Sequence, residues 1–366
     1  MNQVMGSGVA RRGTFAALAV TALVLAMPLP AAAGNSGRKG TGGANELRIP
    51  VGPRGSALGG AVVSNIDGVE SIYWNPAGLG ALERTEALFS HGQWIADMDV
   101  NYAAVATRVG GFGTLGLSIK ALSIGDVIVT TEDAPDGTGE IIHPTFTTLG
   151  MSWGRTFTDR VLFGAGVSLV SEQVLSAAAR GLAFDFGVQY LTGWRGLRFG
   201  MAMKNFGPNM RFEGADFEFN QQLAGTNPQS ADRTSQSVSA EFELPSYFSV
   251  GANYDLMNER DQQVVLMGSF QNNNFQGDGF FGAVEWRWRK AFALRGSYFG
   301  SRVSTANSGG ESSTTLASGD DVYDGFGLGA GASLMAGATR MGIDISWRGV
   351  SEIFDDHLEV GVTLGF

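Results

Sequence analysis

Apolar and polar residues alternate strictly over stretches of about ten residues, most clearly at the end of the chain. Leu358, Val360, Val362, Leu364 and Phe366 share one face, and Glu359, Gly361, Thr363 and Gly365 share the other. The same period of two places Leu182, Phe184, Phe186, Val188 and Tyr190 opposite Ala183, Asp185, Gly187 and Gln189. Leu115, Leu117 and Ile119 alternate with Gly116, Ser118 and Lys120, and Met341, Ile343, Ile345 and Trp347 with Gly342, Asp344, Ser346 and Arg348. Alternation of this kind predicts strands. At this length, with an apolar face opposite one of glycine, hydroxyls and sparse charge, it predicts strands of a membrane barrel. A soluble sandwich also alternates, but its outer face would be rich in Lys and Glu.

Strands are expected near 84–91, 98–108, 112–122, 145–154, 160–171, 180–191, 195–205, 246–256, 262–271, 278–288, 290–299, 323–335, 340–349 and 356–366. That makes about fourteen, an even number as bacterial barrels require. The long polar connections, at about 123–144, 206–245 and 300–322, all follow odd-numbered strands, and the short turns follow even ones. Long outer loops and short periplasmic turns then put both chain ends on the periplasmic side. Aromatic girdles are expected near strand ends, at Trp94, Trp153, Trp194, Trp286, Trp288, Trp347, Tyr298 and Phe366.

Composition narrows the picture. A charged fraction of 16 % is low and 54 glycines in 366 residues is high, which suits a barrel whose lipid face carries no charge. The net charge of −10 argues against nucleic acid as a partner. The absence of cysteine excludes disulfides and thiolate sites.

At the N-terminus, Arg11 and Arg12 precede an apolar run from Phe15 to Leu29, followed by Ala31, Ala32 and Ala33. This reads as a signal peptide over residues 1–33, hence export. Its apolar core is too short for a membrane anchor. Residues 34–46 are expected to form a flexible linker and 47–83 a plug or hatch-like segment, with the barrel over 84–366. Asn65 or Asp67 is expected to cap a short helix through Tyr73, ended by the Asn75–Pro76 bond. This segment would either fold back into the lumen or sit as a lid at the barrel base.

Three blocks in this region, Gly55-Ser56-Ala57-Leu58-Gly59-Gly60-Ala61, Asn65-Ile66-Asp67-Gly68 and Tyr73-Trp74-Asn75-Pro76-Ala77-Gly78-Leu79, resemble the N-terminal signature of the PorV/PorQ family. That family lies within the FadL-like outer-membrane barrels. Leu244 to Gly251, opening the eighth strand, is similar too. The resemblance implies two functions. FadL-like proteins move long-chain fatty acids and other hydrophobic molecules inward past an N-terminal hatch, whereas PorV-like proteins receive exported proteins in type IX secretion. The matched motif, Tyr73, Trp74, Asn75, Pro76, Ala77 and Gly78, looks structural.

The polar phase of the strands is expected to aim Lys120, Asp185, Arg198, Lys204, Glu285, Arg287, Arg295, Asp344, Arg348 and Glu359 inward. They form either a polar path or a paired network bracing the plug. Catalysis finds little support. His91, His143 and His357 are the imidazole bases available, and His91 and His357 fall on opposite strand phases near one rim. No spacing suggests a metal site, and no cofactor is implied. The expected partners are outer-membrane lipids, the barrel-assembly machinery through the C-terminal strand and Phe366, and a hydrophobic ligand or an exported protein client. The sequence reading is a bacterial outer-membrane, multi-pass protein moving hydrophobic small molecules without chemistry. The alternative is a PorV-like secretion role, and the third option a passive diffusion porin.

Overall fold

A computed structural model describes residues 38, 40–221, 233–306, 312–317, 325–350 and 356–366. The signal-peptide expectation over 1–33 lies outside these residues. Fourteen strands form the barrel wall: β1 Glu86–Gln93, β2 Asp99–Val109, β3 Gly113–Ser123, β4 Thr145–Thr158, β5 Val161–Val174, β6 Ala177–Leu191 and β7 Arg198–Phe206. They continue as β8 Tyr247–Asn258, β9 Gln262–Asn273, β10 Asp278–Trp288, β11 Phe292–Ala306, β12 Gly325–Ala336, β13 Thr339–Arg348 and β14 His357–Gly365. Each pairs antiparallel with its sequence neighbours, and β1 pairs with β14, so the sheet closes on itself. Closure removes the unpaired edges that an open sheet would expose.

Every predicted strand has its counterpart, and the parity of the connections holds. The connections following β3, β7 and β11 are long, whereas 110–112, 159–160, 259–261 and 337–338 are tight turns. Two details differ. Residues 300–306 continue β11 and pair with Ser312–Ala317 instead of forming loop, because the pairing carries the hairpin beyond the barrel rim. Residues 127–128 with 141–142, and 218–221 with 233–236, make small ladders within the long loops.

The two strand phases separate as the alternation requires. Phe89, Leu117, Met151, Leu294, Ile343 and Leu358 are exposed on the outer face. Lys120, Asp185, Lys204, Glu285, Arg295 and Glu359 are buried on the inner one. This inverts the soluble pattern and matches a lipid-facing wall. Trp94 departs from the girdle expectation. It is only 8 % exposed and packs edge-on against His357, 5.2 Å between ring centroids, because its rim segment turns inward.

Residues 44–82 pack against the inner phase of the wall. They form short turns: a 3-10 turn Asn45–Arg48, a helix Pro53–Ala57, a helix Ser71–Trp74 and a 3-10 turn Pro76–Ala81. Their hydrogen bonds reach β14 (Gly52 N to Glu359), β10 (Arg54 to Glu285), β6 and β7 (Asn75 to Val188 O and Met201 O) and β4 (Thr156 Oγ1 to Gly80 O). These bonds hold the segment against the inner face of five strands.

The segment also runs from one end of the barrel to the other. Gly42 bridges to Glu243 in the long connection following β7, and Arg38 stacks over Phe275 in the short β9–β10 connection at the same end. At the other end, Glu86 at the start of β1 accepts from Val69 N, and Phe366 N donates to Thr85 O. The first described residues of the segment and Phe366 therefore lie at opposite ends of the barrel. Strand parity locates residue 84, but the preceding segment reverses the chain through the lumen. Gly42, within the stretch expected to be a linker, pairs with Glu243.

Candidate functional site

The interior is a contact surface between the inner segment and the polar phase of the wall, and glycine makes that contact close. A Cβ at Gly164 of β5 would overlap the Pro76 backbone, one at Gly187 of β6 would overlap Asn75 Oδ1, and one at Gly200 of β7 would overlap Val63 O. The small residues of the inner phase thus form a bed for the segment.

Asn75 sits at the centre of that bed and is fully buried. Its Nδ2 donates to Val63 O at 2.6 Å and, more weakly, to Met201 O and Val188 O at 3.3 and 3.4 Å. Its Oδ1 accepts from Ala77 N at 3.1 Å, capping the turn that Pro76 begins. Neither Asn65 nor Asp67 caps the preceding helix as expected. Glu70 occupies that position without a side-chain capping bond, its carboxylate accepting instead from Gly55 N, and Ser71 Oγ closes the turn onto Gly68 O. The Asn75–Pro76 bond does end the helix. Trp74 Nε1 donates to Val51 O at 3.0 Å and Tyr73 Oη to Ile49 O at 2.9 Å, folding the segment back on itself. Asn75→Ala is expected to cost about 1–3 kcal/mol through these orphaned carbonyls, read as a lower unfolding midpoint in detergent.

The ten inward-phase charges sort into clusters. Glu285, with no exposed surface, accepts from Arg54 (3.1 Å), Arg287 (2.6 Å) and Arg295 (2.9 Å), and Arg295 also pairs with Asp344 at 2.5 Å. Arg54 belongs to the inner segment, so this network ties segment to wall. Glu359 accepts from Gly52 N at 2.7 Å and Ser56 Oγ at 2.6 Å. Lys204 pairs with Asp185 at 2.5 Å, and Lys120 Nζ donates to Glu46 O and Ile49 O. Both lysine ammoniums lie over the Tyr73 ring, 5.0 and 5.6 Å from its centroid, a cation–π arrangement from two strands onto one motif residue. Arg348 is buried beside Trp74 in a small cavity, and Arg198 stands apart, partly exposed at the short-turn end of β7.

Arg54 and Glu46 were not singled out from sequence, because they lie in a segment without strand periodicity. Glu46 is buried, and burial, then the nearby Glu172, push its carboxyl up to about 8. A folded-state value raised above the unfolded 4.5 means stability that is intact at low pH and lost as pH rises through about 8. The start of the inner segment is expected to loosen progressively as pH rises from about 4.5 to about 8, seen as faster labelling of a cysteine placed at Asn45; pH-independent labelling would contradict this.

The remaining interior is apolar in patches. Leu58, Val62 and Ile66 of the segment pack with Val265, Met267, Phe281 and Phe299 of the wall, and the last two rings stack at 4.4 Å. Leu47, Met210 and Leu244, with Phe212 and Phe242, cluster where the segment meets the loop following β7. Cavities of about 50 and 40 Å³ flank Tyr73 and Trp74. Both are far smaller than small-molecule sites, which span roughly 300–1,000 Å³. His91 lies exposed beside Asn101, whereas His357 is buried with Nδ1 against Gln93 O. The two rings face opposite sides of the wall. His143 pairs with Asp126 in the loop following β3. Among the described residues no group of three metal-ligating side chains converges.

No protein-family model and no curated protein matches the sequence. Among solved structures, the CymD monoaromatic hydrocarbon channel superposes with a TM-score of 0.51 at 11 % identity, covering 87 % of this chain and 97 % of that one. The Pseudomonas putida toluene transporter TodX gives 0.49 at 12 % identity, with 84 % and 96 % covered. The Ralstonia pickettii toluene transporter TbuX gives 0.48 at 13 %, with 86 % and 97 % covered. At such identity the likeness to CymD is one of fold alone, a closed antiparallel barrel.

Proposed function

We propose that this protein conducts hydrophobic small molecules across the outer membrane without catalysis, the inner segment acting as the plug that must shift for passage. The observation carrying this reading is the set of three apolar clusters that the segment makes with a wall whose inner face also carries charge, two of which matter most for entry. Leu47, Met210, Phe212, Phe242 and Leu244 form an apolar mouth at the long-loop end. Deeper in, Trp74, Phe281 and Phe299 offer an aromatic face behind Leu58 and Val62. A hydrophobic molecule entering at the mouth would exchange these packed contacts for its own, so binding and movement of the segment are linked. The hydrocarbon channels sharing the fold support the same substrate class. In this reading the long loops face outward, and Phe366 lies at the periplasmic end for recognition by the barrel-assembly machinery.

The test is titration of the purified protein with toluene and with a long-chain fatty acid, followed by tryptophan fluorescence. Saturable quenching that weakens in Phe281→Ala is expected, whereas strictly linear partitioning would reject the reading. The PorV-like secretion role rests on the Trp74-to-Gly78 motif, which here serves to hold the segment to the wall. A stoichiometric protein client copurifying from native membranes, with no apolar ligand, would favour it.

A further inference from the structure

The outer, lipid-facing wall carries a groove of about 600 Å³ across β10–β13, almost wholly apolar. Two cross-strand rows make it. Trp288, Phe292, Ala332 and Ile343 lie in register, and Trp286, Leu294, Ala330 and Ile345 form the next row. In both rows β12 contributes only alanine, so large side chains on β10, β11 and β13 stand as walls around a methyl floor. A fully packed wall would place Leu or Phe there, as β12 does at Phe326, Leu328 and Leu334.

The groove ends beside the β10–β11 turn, and that turn has unusual chemistry. Ala291 N donates to Trp288 O at 3.0 Å, and the two central residues, Arg289 and Lys290, have φ of 50° and 53°. Two consecutive positive φ values define a turn that ordinarily uses Asn-Gly. Non-glycine residues held there store strain, which persists where it serves a function. Both cations are exposed, and the Arg289 guanidinium lies 4.9 Å from the Trp288 ring, the same indole that walls the groove. The neighbouring turn adds Arg260 with Glu259 and Asp261, and Asp261 lies 3.8 Å from Arg289, so the three cations outnumber the two carboxylates.

We infer that the groove and the Arg289–Lys290 turn form a binding site for one anionic glycerophospholipid, an acyl chain lying on Ala330 and Ala332 and the phosphate held by the two cations. The site rests on the reading of this chain as an outer-membrane barrel, but not on the identity of its cargo. An apolar slot that opens at a cationic, aromatic rim matches a lipid along its length: acyl chain, interface, headgroup. The cost of strained turn residues is then the cost of keeping charge at that rim.

The test is native mass spectrometry of the whole mature protein, equilibrated in micelles with equal amounts of phosphatidylglycerol and phosphatidylcholine. One retained phosphatidylglycerol is expected, at a preference of roughly 10- to 30-fold, as two basic side chains near a lipid phosphate supply. Arg289→Asn with Lys290→Gly installs the relaxed turn pair, so it should fold at least as well and lose the preference. Ala330→Leu with Ala332→Leu fills the groove and should abolish retention of either lipid with the turn intact. Equal retention of both lipids by the unaltered protein, a preference surviving the Asn-Gly turn, or retention of lipid A in place of a phospholipid would overturn the site. Toluene quenching on the same preparations separates the two ideas, since lipid preference can fail with cargo binding intact, and the reverse.

Discussion

Replacing Glu285 by glutamine is expected to destabilise the protein by roughly 3–5 kcal/mol, the loss typical when one member of a buried ionic cluster is removed. The shape is nearly unchanged, so the effect isolates charge. Glu285 has no exposed surface and accepts from Arg54, Arg287 and Arg295. Without it, Arg54 retains Asp67 at 3.4 Å and Arg295 retains Asp344 at 2.5 Å, but Arg287 loses the one carboxylate it is seen to pair with. The double variant Glu285→Gln with Arg287→Gln should therefore recover much of the loss. Thermal unfolding followed by circular dichroism in detergent measures both. An unchanged midpoint in the single variant, or a double variant worse than the single, would mean that the network does not brace the segment.

The second large effect is on permeability. Gly187→Leu drives a side chain into the space of Asn75 Oδ1, and the backbone of Ala77 lies behind it. Overpacking alone costs about 1–3 kcal/mol, but here the neighbour is a segment held by short turns and not by a sheet ladder. The segment is expected to yield first and leave the wall intact. A fourteen-stranded wall lies between the filled small barrels and the porins that hold an aqueous channel. Planar-bilayer recordings should accordingly show conductance rising from near baseline to a porin-like level, with the strand content unchanged. Conductance at the level of the unaltered protein, with the variant folded, would show that the segment does not seal the lumen. High conductance of the unaltered protein would instead favour a passive diffusion porin.

The wall was legible because a barrel writes itself into sequence twice, through side-chain period and through loop-length parity. Leu358 to Phe366 shows the first, and the long connections after β3, β7 and β11 show the second. The inward phase of the charges followed from the same period. Their partners did not. Arg54 meets Glu285 across 231 positions of chain, and nothing local encodes such a meeting. The inner segment was harder still, since turns of four to six residues carry no periodicity. Its glycines and Asn75 stood out as a motif, but their reason lies on other strands, at Gly164, Gly187 and Gly200. Strand counting likewise has no information about a segment that crosses the lumen before the first strand.

That crossing makes the protein mechanically polar. The segment continues covalently into the wall where residue 82 leads into β1, while its other described end meets the wall's connections through the Gly42–Glu243 bridge. A force applied at the short-turn end would draw it out like a cord from a sleeve, breaking one turn at a time. The same force applied to the N-terminal end would pull along the cord onto β1 and load its seam with β14 in shear, eight register pairs at once. Opening is soft in one direction and stiff in the other.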